Sequence, residues 1–205
     1  MQNKEFYSNY IKAFLNQNSK LNLISKNDEK YLWEKHIFDS LAIEKFFDKY
    51  KKGKTLLDIG TGGGFPSLPI ALSYPDIEVY ALDSIRKKIN AISQIKEELN
   101  LKNLHPLCER AEKLLNNQQQ GTVPKFDIIT SRAVAPLKII TEYAMPLLKD
   151  NGYFVAYKSI KTDEEIADAQ IILKKLKAEV TDIIQYKLPL EENHIRNLII
   201  IKNKK

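Results

Sequence analysis

The chain has 205 residues, 43% of them hydrophobic, and carries 32 Lys and Arg against 26 Asp and Glu for a net charge of +6. That length suits one α/β domain with an appended element, and the apolar share is enough for a sizeable core. No apolar run approaches about 18 residues, which excludes a transmembrane helix, and one cysteine with three histidines forms no internal disulfide and no metal-ligand cluster.

The basic balance suits phosphate-bearing partners. A Lys-, Ile- and Asn-rich composition from an AT-rich genome explains it equally well. The opening stretch MQNKEFYSNY has no signal-peptide apolar region, so a cytoplasmic protein is expected.

Residues 1–50 read as a helical extension packed on the core. Phe6, Tyr7, Tyr10, Ile11, Phe14 and Leu15 recur at spacings of three and four and form one apolar face. Asn16 to Leu23 reads as a break. A second helix is expected to start at Asn27 or Asp28 and to turn Leu32, Trp33, Ile37, Leu41 and Phe46 inward. Within it, His36 and Asp39 share one face. Spacing alone favours a hydrogen-bonded pair on a half-buried helix; bracing the glycine turn or touching substrate stays open.

Lys51-Lys52-Gly53-Lys54 forms the hinge into the main domain, residues 51–205. From Thr55 onward strands and helices alternate, which predicts an α/β fold around a mostly parallel sheet. The first strand, Thr55 to Ile59, runs into Asp58 and then Gly60, Gly62, Gly63 and Gly64, four of the chain's seven glycines. Such a cluster marks the first βα turn, at the strand end where doubly wound folds bind nucleotide-like ligands. Phe65 breaks G-x-G-x-x-G, and an acid beside the glycines repels a pyrophosphate. The pattern looks more like the S-adenosylmethionine site of class I methyltransferases than a site for NAD(P). An NAD(P)-dependent oxidoreductase is therefore the less favoured reading.

Pro66 to Tyr74 reads as the first helix of the main domain, and Glu78 to Leu82 as the second strand. That strand ends at Asp83, the position of an acid that accepts from a ribose diol in doubly wound folds. Ser84 is the expected cap of the next helix, with Ile85, Ile89, Ile92 and Leu99 on the sheet. Asn103 to Leu107 is a weak third strand. Glu109-Arg110-Ala111-Glu112 follows it at the loop bordering an adenine ring, with Glu112 as a plain surface residue the alternative. Cys108 reads as a small buried apolar residue. Asn116 to Pro124 reads as a surface loop.

Phe126 to Thr130 is a clear fourth strand. It puts Arg132 at the carboxyl edge, where an unpaired buried charge would be costly. Pro136 and Leu137 open a helix to Leu148. Asp150-Asn151-Gly152 is a turn, and Tyr153 to Tyr157 is a fifth strand with Lys158 at its carboxyl edge. Thr162 to Lys177 is an amphipathic helix. Val180 to Leu188 and Asn197 to Ile201 read as a final antiparallel pair joined through Pro189 to Asn193. Arg196 is either a phosphate contact or a charge on an edge strand.

Taken together, HIFDS at 36–40, DIGTGGGFPSLPI at 58–70, ALDSIRKK at 81–88, ERAE at 109–112 and FDIITSRAVAPL at 126–137 resemble the GidB/RsmG family of bacterial small-subunit ribosomal RNA guanine-N7 methyltransferases. The resemblance runs from Asn22 to Lys202. It implies a class I S-adenosylmethionine-dependent methyltransferase fold, Rossmann-like, with a seven-stranded sheet whose last strand is antiparallel. It implies cofactor binding by Gly60, Phe65, Ala111, Glu112 and Arg132, with Asp58, Gly62 and Asp83 completing the pocket, and no metal. Two departures stand out. Ser159 replaces the usual Gly after Lys158, and Gly63 replaces a common Pro.

The implied partner is 16S ribosomal RNA or an assembling small subunit, met by a monomer. Guanine N7 carries no proton, so orientation and desolvation replace a general base. Arg132 is the first candidate to orient the guanine, with Lys158 and Arg196 behind it. Lys51, Lys52, Lys54, Arg86, Lys87 and Lys158 are expected to carry the salt-dependent part of RNA binding. A methyltransferase acting on a small molecule or protein, and a nonenzymatic RNA-binding protein with the same fold, remain alternatives.

Overall fold

A computed structural model describes residues 4–51, 53–191 and 194–204. Lys52, expected in the hinge and among the RNA-binding bases, and Glu192 and Asn193 of the last loop lie outside them. Seven strands form one sheet in the order β3-β2-β1-β4-β5-β7-β6. They are β1 (Thr55–Ile59), β2 (Glu78–Asp83), β3 (Leu104–Cys108), β4 (Phe126–Arg132), β5 (Leu148–Lys158), β6 (Ala178–Lys187) and β7 (Ile195–Asn203). The first five strands pair in parallel, and β7 runs antiparallel between β5 and β6.

Successive residues of the strands face opposite sides. Leu56, Val79, Leu104, Ile128 and Val155 pack with the N-terminal helices, and with α5 (Ser67–Ser73) and α6 (Arg86–Glu98). Leu57, Leu82, Ile129 and Phe154 pack on the other face. Their partners there are α7 (Ala111–Gln119), α8 (Leu137–Ala144) and α9 (Thr162–Lys175).

The N-terminal segment shares the first core rather than forming its own. In α1 (Ser8–Leu21), Tyr10, Ala13 and Phe14 are buried, and Tyr7 before it is buried too. The helix runs through the expected break at Asn16. It ends where Asn22 takes φ +50° as a left-handed cap. Buried Asn18 explains the extension: its side chain accepts from Ile24 N at 2.8 Å and donates to Glu29 at 2.7 Å. Ser25, not Asn27 or Asp28, caps α2 (Lys26–Glu29), its hydroxyl accepting from Asp28 N. A π-helical segment follows over Leu32–Phe38, then α3 (Asp39–Leu41) and α4 (Glu44–Phe47).

Other differences have local causes. Asn116 to Gln119 extend α7 instead of looping, because buried Leu114 anchors the helix and Gln118 donates to Pro124 O and Leu147 O. The expected turn at 150–152 is a bulge within β5: the register shifts between Phe126 and Ile128 opposite, and Asn151 takes φ +60°. Ser84 caps nothing. The carboxylate of Asp83 accepts from Ile85 N at 2.8 Å, and Ile85 is exposed rather than on the sheet. Cys108 is half-buried, not a core residue. Arg196 lies on β7, which is an inner strand, so it is not a charge on an edge strand.

Candidate active site

Two cavities of about 510 Å³ each open at the carboxyl end of the parallel strands and share His36, Arg132 and Ala133. The first is bounded by the glycine turn after β1, the end of β2 at Leu82 and Asp83, and the start of α7 at Ala111 and Glu112. Gly60, Gly62, Phe65, Asp83, Ala111, Glu112 and Arg132 all line it. The side chain of Asp58 does not. It is fully buried beneath the turn, accepting from Ser67 N at 3.3 Å and from the Thr130 hydroxyl at 3.0 Å. Burial pushes its carboxyl up to about 7 against the opposing hydrogen bonds. Asp58 shapes the site from below, and its charge is no guide to the ligand.

The glycine turn is tied to the end of β2 by three hydrogen bonds. Gly60 N and Thr61 N both donate to Leu82 O at 2.9 Å. The carboxylate of Asp83 accepts from Gly62 N at 2.9 Å, while its other oxygen holds Ile85 N. Each oxygen keeps a further lone pair for a ligand hydroxyl. Gly60 and Gly62 take φ +72° and +58°, the left-handed region that disfavours any Cβ. A Cβ on Gly60 would stand 2.4 Å from the Val134 side chain, so a larger residue there collides with protein before it reaches ligand space. Gly63 has no such φ, so the backbone there does not demand glycine.

Arg132 leaves the end of β4 between the two cavities. Its guanidinium donates to Asp39 Oδ2 at 2.8 Å, to Lys35 O at 3.1 Å and to His36 Nδ1 at 3.1 Å. It also lies 5.3 Å from the Phe65 ring centroid. His36 and Asp39 therefore meet through Arg132 instead of pairing with each other. The π-helical turn widens the helix where His36 sits, a distortion frequent at functional sites. Tyr186 OH donates to the other Asp39 oxygen at 2.6 Å, and Tyr157 OH to Ser40 O at 2.7 Å. A guanidinium offers only donors, so Nδ1 of His36 is the acceptor and the ring proton sits on Nε2. Burial, and then Arg132, lower His36 to about 4.

The second cavity adds Tyr157, Lys158, Ser159, Tyr186 and Arg196. Lys158 is held by Ala135 O at 2.9 Å and by Glu165, whose carboxylate also accepts from Leu137 N at 2.8 Å. Its side chain is only 12% exposed, so it is not a free phosphate contact. Ser159 is not in the left-handed region, which explains why glycine is not required there. Arg196 makes no ion pair with a described residue.

Several wall residues were not expected as site residues from the sequence: Leu23 and Ile24 from the N-terminal segment, Lys88, Tyr143, and Ala133, which takes φ +55° just after Arg132. Strain of that kind clusters at functional sites. Lys51 and Lys54 precede β1, at its amino end. Five residues at about 3.3 Å each separate them from the cavities, so they do not border the mouth. Arg86 and Lys87, at the start of α6, are on the correct end and exposed. Among the described residues no cluster of His, Cys, Asp and Glu would hold a metal, and no helix is long and apolar enough to cross a membrane.

Solved structures share this architecture. An O-methyltransferase from Bacillus cereus in complex with SAH aligns over 100% of this chain and 93% of its own at TM-score 0.65 and 15% identity. An rRNA methylase from Streptococcus thermophilus aligns over 80% and 95% at TM-score 0.54 and 16% identity. In sequence, the ribosomal RNA small subunit methyltransferase G of Bacillus licheniformis is 36% identical over 198 residues, 97% of this chain and 81% of that protein. The protein of the same name from Streptococcus agalactiae is 36% identical over 204 residues, 98% and 84%. The family model described as rRNA small subunit methyltransferase G (GidB) matches residues 3–198, and the chain belongs to that family.

Proposed function

We propose that this chain transfers the methyl group of S-adenosylmethionine to N7 of one guanine in 16S ribosomal RNA, either free or in an assembling small subunit. The observation that carries the reading is the pair of adjoining cavities joined at Arg132, His36 and Ala133. One suits a cofactor and the other a single extruded base.

The residues fit S-adenosylmethionine. A Cβ on Gly62 would meet only Gly60 O, at 4.0 Å, so the turn leaves open space beside the Asp83 carboxylate. Asp83 suits the ribose hydroxyls, and Ala111 and Glu112 the adenine border. Gly60, Gly62 and Phe65 form the floor, with Asp58 supporting it from beneath. When bound, the cofactor supplies an electrophilic methyl on a sulfonium.

The chain's own residues orient the acceptor and exclude water. Guanine N7 has an in-plane lone pair and no proton, so a neutral His36 and the absence of a nucleophile–base pair are no obstacle. Arg132 is braced by Asp39 at the junction of the cavities. It suits the O6 side of the guanine Hoogsteen edge or the cofactor's carboxylate. Lys158 is locked by Glu165 and acts by holding the 133–137 loop. Arg196 suits an RNA phosphate or the base edge. Duplex RNA hides its major-groove edge, so the target is an exposed or flipped base. Residues 1–50 serve as an extension that supplies His36 and Asp39 to the catalytic domain.

The test uses labelled S-adenosylmethionine, the purified protein and, from cells lacking the modification, both small-subunit RNA and small-subunit particles. Label recovered in 7-methylguanosine at one site supports the reading. Label in another nucleoside, or none in the presence of cofactor binding, rejects it.

A further inference from the structure

A third cavity, of about 440 Å³, adjoins the second and shares Lys35, Leu190 and His194 with it. Its size is in the range of a nucleotide-scale ligand. The cofactor reading leaves it without a role.

Three of its features are complementary to a nucleotide. Lys30 Nζ and Lys35 Nζ lie 5.0 and 4.7 Å from the centroid of the same Tyr31 ring. Lys35 is neutralised by Asp28 at 2.9 Å, while Lys30 is exposed and forms no ion pair with a described residue. Glu34 Oε2 is buried with no hydrogen-bond partner among the described residues. A buried acceptor without a donor is unfavourable. It is retained most readily where a ligand brings the donor. A carboxylate takes N–H donors, and nucleobase amino groups supply them.

Resting on the reading of the first two cavities as cofactor and acceptor sites, we propose that this third cavity binds the RNA nucleotide next to the methylated guanine. Its phosphate lies by Lys30. Its base offers an exocyclic amino group to Glu34, with Tyr31 and Leu190 as the apolar wall. The second and third cavities adjoin across Lys35, Leu190 and His194, so a single strand with its target base extruded into one can place its neighbour in the other. Guanine, adenine and cytosine carry such an amino group; uracil does not.

The test compares wild type with Glu34→Ala and Lys30→Ala on small-subunit RNA and on loop fragments. In the fragments, each nucleotide flanking the labelled guanine is replaced in turn by uracil. S-adenosylmethionine titration of each variant checks the fold. In the wild type, uracil at one flank is expected to raise KM by roughly tenfold. Glu34→Ala, which removes the acceptor, is expected to erase that difference. Lys30→Ala is expected to reduce the salt slope of RNA binding by about one. Variants that bind cofactor normally and keep the wild-type KM, flank dependence and salt slope overturn the third site alone. A wild type that labels neither these RNAs nor the small-subunit particle overturns the reading of the first two cavities, and the third with it.

Discussion

The guanidinium of Arg132 donates to the carboxylate of Asp39 at 2.8 Å across 93 residues of sequence, and Tyr186 holds the other carboxylate oxygen. Arg132 is 17% exposed and Asp39 7%. Removing one member leaves a largely buried charge without its partner. Asp39→Ala is therefore expected to lower stability by about 3–5 kcal/mol. Transfer activity should fall with it, because Arg132 loses its orientation. Urea denaturation alongside a cofactor titration measures both. Unchanged stability would mean that the pair is solvated in solution.

Gly60 and Gly62 separate backbone strain from steric exclusion. Both take left-handed φ, so an alanine at either costs about 1–2 kcal/mol. Only at position 60 does the Cβ collide with Val134. Gly60→Val is expected to displace that cavity wall and to abolish measurable S-adenosylmethionine binding in a folded protein. Gly62→Ala is expected to show the strain with a smaller stability loss. Calorimetric titration and circular dichroism on the two variants make the comparison.

Asp83→Ala removes the acceptor for Gly62 N and Ile85 N together. Hydrogen bonds to a charged group are worth about 1.5–3 kcal/mol. The first turn should loosen, and cofactor affinity should fall by about 10- to 100-fold. An affinity within about twofold of wild type would remove Asp83 from the site.

Asp58 and His36 give opposite pH signatures. Asp58 is raised to about 7 in the folded chain from an ordinary 3.8. Between those values the folded state binds the extra proton, so this group lowers stability as pH rises from about 4 to 7 and adds no slope above. Asp58→Asn keeps an acceptor for Ser67 N and a donor toward the Thr130 hydroxyl. Its stability relative to wild type should climb over that window and then level off.

His36 is lowered to about 4 from 6.5. Below 6.5 the unfolded chain binds the extra proton, so this group withdraws stability as pH falls from 6.5 to about 4. His36→Asn keeps an acceptor for Arg132 and should lack that acid limb. Denaturation midpoints from pH 4 to 8 for both variants check the two signs.

The sequence by itself determined the α/β architecture, because alternating apolar runs and turn residues are local properties. It also located the glycine turn, Phe65, Asp83, Ala111, Glu112 and Arg132, which follow strands at the same sheet edge. Misreadings at helix ends came from distant partners. Asn18, with its bonds to Ile24 and Glu29, carried α1 past its expected stop, and Gln118 extended α7 through bonds beyond its own segment.

Only the tertiary structure decided what the polar residues do. Asp58 and Asp83 both read as acids completing the cofactor pocket, yet one lies beneath the turn and the other in the cavity wall. His36 and Asp39 read as neighbours on one helix, yet they meet through an arginine from β4. Lys51 and Lys54 read as hinge cations near the site, yet strand length carries them to the far end of the sheet. Burial and side-chain partners come from chain segments tens of residues apart, and periodicity along the sequence holds no record of which of them pack together.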